Sequence, residues 1–321
     1  MSTNLSQQES KLLNEALFEK LSSTDPIMQK EAVDAVNDFT RTKMREDGFF
    51  RRIMPPVPIS NDELDRQVST DKPVKVVDKE PGSPAAVSIP FATLPTNVYI
   101  RGNRYLVHMD RIVTPRFTKD VDELRTWVMD IRQVLSDNAI KDMLSEEDSK
   151  FMTAVHASIG ATTGAANNAT SGVSQFTASS GGILRAQLWE AMKTMPGLPS
   201  RLETHTILIN SVTIKDIAKM KRDEVGGDLA EDIMRNGWSE QNFMGVRWIV
   251  TIKGAGQSTT DYVKDGNMYM FSDPKFIGKH YQLEDTTMYI RREAYMLEFF
   301  AYQTSGATLG HTGGLAGYTF S

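Results

Sequence analysis

Cysteine is absent from all 321 residues, which removes disulfides, thiolate-bound zinc, iron–sulfur clusters and thiol nucleophiles together. Long apolar runs are missing too. No stretch reaches the roughly 18 apolar residues of a bilayer span. The opening MSTNLSQQESKLLNEALFEK is polar and acidic where a secretory leader is basic and then apolar. The expectation is a protein made and kept in a reducing cytoplasm. Positive charge is not in excess either: 36 Lys and Arg against 41 Asp and Glu give a formal charge of -5. That balance argues against affinity built on a coat of phosphate contacts, though not against a local basic face. The five histidines, His108, His156, His205, His280 and His311, never stand at HxxxH or HExxH spacing, so no helix offers two imidazoles to one metal. No GxxxxGK(S/T) phosphate cradle occurs.

What is present is a globular composition, 40% hydrophobic and 24% charged, with a mean hydropathy of -0.35, in a chain long enough for a full core or two domains. Ser6 with Glu9 forms a capping box, and Leu12, Leu13, Ala16, Leu17 and Leu21 follow at helical spacing. Asp25-Pro26 starts a second helix with Met28, Ala32, Ala35, Val36 and Phe39 on one face. These two read as an arm. From Ile53 to about Phe117 the pattern predicts hairpins, one turning at Pro81-Gly82-Ser83-Pro84 and one at Arg101-Gly102-Asn103-Arg104, where Gly102 or Asn103 would take positive φ. Asp120 is expected to cap a helix over 120–143, with a restart near Ser145 and Asp148. Residues 151–184 hold no Asp, Glu, Lys or Arg, and 161–182 form a low-complexity Gly/Ala/Ser/Thr/Asn run, expected to be a loop or connector. Beyond it the elements alternate: a helix at 183–194, a strand at 206–210, a helix at 213–221, strands at 245–253 and 268–272, and closing strands within 280–304. The Gly-rich remainder from Ser305 is read as a tail.

Chemical motifs are weak. Gly160-Ala161-Thr162-Thr163-Gly164 has the outline of a nucleophile elbow with threonine for serine, but it follows a helix instead of a strand. Gly254-Ala255-Gly256-Gln257 follows a strand, yet position 259 is threonine where a dinucleotide fingerprint needs glycine. The carboxylate groups Asp62-Glu63, Glu146-Glu147-Asp148 and Glu284-Asp285 read as solvated helix starts or turns. The strongest charged feature is residues 99–119, where Arg101, Arg104, Arg111, Arg116 and Lys119 face a single acid, Asp110, with Tyr99 and Tyr105 interleaved. Either these contact an acidic neighbour or nucleic acid, or they decorate a solvated hairpin.

The order of arm, long hairpin excursion, long helix and α+β body resembles that of tailed-phage major capsid proteins with the Hong Kong 97-like fold. The runs ILINSVTIKDI, GVRWIVTIKG and MYMFSDPKFIGKHYQLEDTTMYIRREAYMLEFFAYQTSGATL carry the likeness. The resemblance implies an α+β chain with an N-terminal arm at 1–52 and an extended E-loop at 53–117. It further implies a peripheral domain at 118–194 and 276–321, built on a long spine helix, and an axial domain at 195–275. It implies a virion shell subunit without catalytic, cofactor or metal residues, assembled in the host cytoplasm into hexamers and pentamers around double-stranded DNA. The DNA would be held without sequence specificity, and scaffold, portal and decoration proteins would be the partners. Arg101, Arg104, Arg111 and Arg116 are the candidate intersubunit contacts. Lys72, Lys75 and Lys79 lie in the hairpin region, but no motif marks a reactive lysine, so cross-linking is not expected. With Met1 first and a short arm, a separate scaffold or none is expected. The competing expectations are an encapsulin-like compartment shell holding protein cargo and, in a different class, a hydrolase using Thr162.

Overall fold

The computed structural model describes residues 48–79, 88–91, 93–95, 102–120, 131–159, 176–179, 183–198, 200–215, 242–243, 245–251, 262–293 and 295–320, with isolated positions before residue 48. Most of the expected arm helices lie outside these residues. So do the turn at 81–84, the Thr162 motif and the Gly254 motif.

The chain is α+β, and its described residues are organised on three sheets. The first is dominated by a long antiparallel ribbon of β12 (Gly278–Glu293) and β13 (Met296–Leu309). Short strands flank it: β1 (Val57–Pro58) runs parallel to β12, while β5 (Asp110–Val113) and β6 (Phe117–Asp120) both pair with β13. The second sheet has the order β7-β14-β11-β8-β10-β9. Its strands are β7 (Phe176–Ser179), β8 (Thr206–Asn210), β9 (Asn242–Phe243), β10 (Val246–Thr251), β11 (Asn267–Phe271) and β14 (Leu315–Phe320). The third is a small antiparallel sheet of β2 (Asp65–Arg66), β3 (Pro73–Lys79) and β4 (Asn103–His108).

The six-stranded sheet is buried on both faces, and the alternation of its strands shows how. Ile207, Ile209, Trp248, Met268, Met270 and Tyr318 pack on one side with Leu188 and Ala191 of the helix Arg185–Thr194 and with Met195, which follows it. Leu208, Ile249, Tyr269 and Phe271 point to the other side, against Phe151, Met152, Val155 and Ile159. Successive residues of a strand face opposite ways, so a doubly covered strand reads as an unbroken apolar run. NMYMF is such a run, and all five of its residues are buried.

The helix opposite that second face is α2 (α1 is the short helix Phe49–Ile53) and runs unbroken over Ile131–Ile159, about 44 Å at 1.5 Å per residue. The expected restart is corrected here, since Ser145 to Asp148 lie inside α2; Asp120 ends strand β6, and the turn it was expected to cap lies outside the described residues. One helix serves two cores. Its Ala139, Ile140, Met143 and Leu144 pack on Ile112, Met288 and Ala301 of the ribbon sheet, while its last turns pack on the six-stranded sheet.

Three further expectations are corrected. Val74 to Lys79 pair with His108 to Asn103, so the hairpin joins segments flanking 80–102, and Asn103 opens β4 with extended backbone instead of taking positive φ. The low-complexity run contains a strand, β7, which joins β14 in parallel. The residues after Ser305 are no tail: they complete β13 and supply β14, an interior strand of the six-stranded sheet. Small residues there reflect close approach. A Cβ on Gly306 would collide with the His108 carbonyl oxygen and stand 3.0 Å from Met109 Sδ, and one on Gly278 would collide with the Thr308 carbonyl. Gly306→Val is therefore expected to destabilise the folded chain by roughly 2–4 kcal/mol, since backbone cannot yield as a side chain does. Urea unfolding checks this, and an unchanged midpoint would contradict the packing at the β4–β5 corner.

Candidate assembly surfaces and the junction that holds them

The site begins at α1, whose Phe49, Phe50 and Ile53 are buried. Its N-cap is Gly48, which has no side chain to cap the first turn. The missing acceptor comes from far along the chain: Asp148 Oδ1 accepts the Phe50 N–H at 3.1 Å. Gly48 also permits contact with α2, since a Cβ there would lie 2.8 Å from Leu144 Cδ2.

One residue earlier on α2, Glu147 meets Arg51. Arg51 Nε donates to Glu147 Oε2 at 2.8 Å and Nη2 donates to Oε1 at 3.0 Å, a two-pronged pair whose side chains are 4% and 2% exposed. Gln303 of β13 completes the set. Its Oε1 accepts from Arg51 Nη2 at 2.8 Å and from Thr286 Oγ1 at 3.0 Å, while its Nε2 donates to Glu147 Oε1. Helices α1 and α2 and both ribbon strands thus share one buried polar junction. The expectation that Glu146-Glu147-Asp148 is a solvated helix start is corrected for the last two: Glu147 and Asp148 are 3% and 1% exposed. No local signal marks them, because the partners of Glu147 stand 96 and 156 positions away.

Two histidines are buried beside this core. His280 Nδ1 donates to the Met54 carbonyl oxygen at 3.3 Å, and Phe50 lies against its ring with centroids 4.4 Å apart. Burial above all holds its pKa down at about 4; Arg51 pushes the same way, and Glu147 and the Met54 carbonyl oppose them. His156 Nε2 is 2.9 Å from the Tyr269 hydroxyl, which also accepts from Asn267 Nδ2 at 3.1 Å. Burial first, then Lys264, brings this imidazole down to about 4 as well. Each is a neutral core histidine.

The candidate contact residues do not gather into one patch. Arg101 lies outside the described residues. Arg104 stands opposite Asp78 in the hairpin sheet, with Nε 2.8 Å from Oδ1 and both side chains exposed, a surface pair of small energetic value. Arg111 and Arg116 share the outer face of the ribbon sheet. The Arg111 guanidinium lies 5.7 Å over the Tyr302 ring and 4.0 Å from Glu284 Oε2, and Arg116 lies 5.7 Å over Phe300. Beneath them runs an aromatic row: Tyr289 and Phe300 pair directly across the strands with rings 5.0 Å apart, and Phe300 and Tyr302 are 6.3 Å apart. Tyr289 and the adjoining Val113 are about half exposed. The row was missed because MYIRREAYMLEFFAYQ reads as apolar on both faces until the register assigns Tyr289, Phe300 and Tyr302 to the outer one.

Of the other carboxylates, Glu63 pairs with Lys75 at 2.7 Å, which keeps its carboxyl below the usual range. Glu284 and Asp285 fall where the β12–β13 register shifts, accepting from Thr304 Oγ1 and Gln282 Nε2 respectively.

No protein-family model and no curated protein sequence matches the chain. Solved structures do. The mature capsid of bacteriophage PhiM1 matches with a TM-score of 0.58 at 10% identity, over 86% of this chain and 87% of that one. The capsid of a native GTA particle matches with 0.52 at 15% identity, over 85% and 89%. A virus-like particle from Pyrococcus furiosus matches with 0.53 at 11% identity, over 90% and 99%.

Two measurements test the junction. Removing one member of a buried ion pair typically costs about 3–5 kcal/mol. Glu147→Gln is expected to fall in that range, and Arg51→Met with Glu147→Leu to recover most of it, by urea unfolding of the subunit. For the histidines, the folded pKa lies below the ordinary 6.5, so the unfolded chain binds more protons between about pH 4 and 6.5. Their contribution is full above that window and is lost as pH falls through it, on the order of 3 kcal/mol for His280. His280→Phe is expected to flatten the fall; an unchanged profile would remove the assignment. The chain has the Hong Kong 97-like fold, the architecture of phage capsid proteins.

Proposed function

We propose that this chain is a major capsid protein that assembles as hexamers and pentamers into an icosahedral shell around double-stranded DNA. The observation that carries the reading is the match in fold to capsid subunits over more than four-fifths of the chain. The geometry adds a physical reason. A three-stranded hairpin sheet and an aromatic outer face are surfaces a lone subunit leaves uncovered, and a second copy covers such surfaces in a symmetric assembly. On this reading 1–52 is the arm and 53–117 the E-loop. Residues 118–194 with 276–321 form the peripheral domain, with α2 as its spine, and 195–275 the axial domain.

The intersubunit residues are Arg104 on the hairpin and Arg111 and Arg116 over the aromatic row, all three exposed, together with Arg101, which lies outside the described residues. Their partners are acidic groups of a neighbouring copy. DNA is held inside without sequence specificity, in keeping with the net charge of -5. Scaffold, portal and decoration proteins are the further partners, the subunit is not an enzyme, and assembly takes place in the host cytoplasm. A compartment shell for protein cargo is the second reading, favoured by the likeness to the Pyrococcus furiosus virus-like particle.

Electron microscopy and light scattering of the purified chain, with and without a candidate scaffold, test the proposal. Closed particles of megadalton mass are expected, and their contents, nucleic acid or protein, separate the two readings. Lys79 and Asn103 pair directly across the hairpin, so an Asn-Gly turn can replace 80–102 with the register intact. That variant is expected to stay folded and to form no closed shells. A wild-type chain that stays monomeric under every condition would sink the proposal.

A further inference from the structure

A cavity of about 340 Å³ opens where α2 and the ribbon strand β13 meet β4 and β5, a size within the roughly 300–1,000 Å³ range of small-molecule sites. Much of its wall is apolar: Phe50, Met54, Ile112, Phe151 and Leu309 line it. Ala154 and Ala307, small and exposed, belong to the same lining and leave it open to solvent. An apolar cavity of about 150 Å³ already takes a benzene ring. This one has room for two fused rings.

Both carboxylates and the lysine on the wall are already paired, Glu147 with Arg51 at 2.8 Å and Asp110 with Lys150 at 3.8 Å. A charged occupant would give up its hydration without gaining a counter-charge from them. A different polar demand comes from His280, which lines the cavity and is 1% exposed. Its Nδ1 donates to the Met54 carbonyl oxygen at 3.3 Å. A carbonyl can only accept, and burial holds the ring neutral with a pKa of about 4, so Nε2 carries the lone pair. Among the described residues Nε2 meets no hydrogen-bond donor. A buried acceptor left unpaired is costly, and an occupant that supplies the donor recovers that cost.

We propose that this cavity binds an uncharged aromatic molecule bearing one hydroxyl group, whose O–H donates to His280 Nε2 while its rings lie against Phe50 and Phe151. The wall favours an aromatic body because it is built from rings. Phe50 packs on Phe151 and on His280 with centroids 4.6 and 4.4 Å apart, both tilted, and a further ring extends the cluster in the offset or edge-on contacts that aromatic groups prefer. Such an occupant touches α1, α2 and β13 at once and braces β4 against the body. The inference does not rest on the shell reading, since none of the arginines assigned there to a neighbouring copy lines the cavity.

Naphthol and its methyl ether share one ring system and differ in the donor, so the two probes together read the hydrogen bond directly. Calorimetric titration of the full chain is expected to show naphthol bound at least about tenfold more tightly than the ether, and the urea midpoint is expected to rise with naphthol concentration. In His280→Phe, which keeps a ring beside Phe50, the preference is expected to vanish while both probes still bind. Ala154→Trp, which fills the cavity, is expected to weaken both at least about tenfold. No binding of naphthol, equal affinity of the two probes for the wild-type chain, an unaltered preference in His280→Phe or undiminished binding to Ala154→Trp would each overturn the proposal. All of these outcomes leave the shell reading intact.

Discussion

The pair between Arg51 and Glu147 is the constraint on which the arrangement of the body depends. Two opposite charges almost wholly out of water are tolerated only with the rest of their hydrogen-bonding capacity filled. Gln303 does this for both at once, accepting from the guanidinium and donating to the carboxylate, and Thr286 steadies Gln303 in turn. Because the four residues come from α1, the long helix and both ribbon strands, none of these elements can shift alone without stranding a charge. Asp148 adds a second tie by taking the N–H that α1 cannot cap for itself. Apolar packing would hold these elements together in many registers; the polar junction accepts one.

That fixity matters because α2 is shared. Its middle turns cover the ribbon sheet and its end covers the six-stranded sheet, with the junction at the point where one core gives way to the other. A helix seated on two sheets transmits any rotation of one to the other. A charged clamp at the crossover holds the two cores in a single relation, and the hairpin base, where Ile59, Val107, Met109 and Tyr281 form their own small cluster, is set against the same framework.

Sequence made part of this legible, and the division follows range. Strand β8 was placed at its residues because TILIN is a short apolar run, and β10 and β11 within about two residues for the same reason. The α+β class and the resemblance in fold follow from such local patterns. What stayed hidden depends on distant partners. Glu147 and Asp148 look like surface carboxylates until α1 is folded against them. β14 looks like a Gly-rich tail because its stability comes from neighbours β7 and β11 rather than from propensity. The hairpin was expected with local turns because nearby segments alternate, yet β3 pairs with a strand more than twenty residues on. The arginine cluster was contiguous in sequence and is split in space, since β4 and β5 belong to different sheets.

The contrast between the closed interior and the open extensions is itself an argument about assembly. Charges inside the body are paired with care, whereas Phe91 and Leu94, in the stretch between β3 and β4, are almost fully exposed to solvent and the ribbon presents an aromatic row. A chain under selection only to be a stable monomer would bury or charge such surfaces, because apolar exposure invites association. Stability and association are here assigned to different parts of the molecule. On the capsid reading, the buried junction makes a unit whose geometry is settled before any neighbour arrives, and the exposed surfaces are left to carry the contacts between copies, whose summed free energy rises with each copy added.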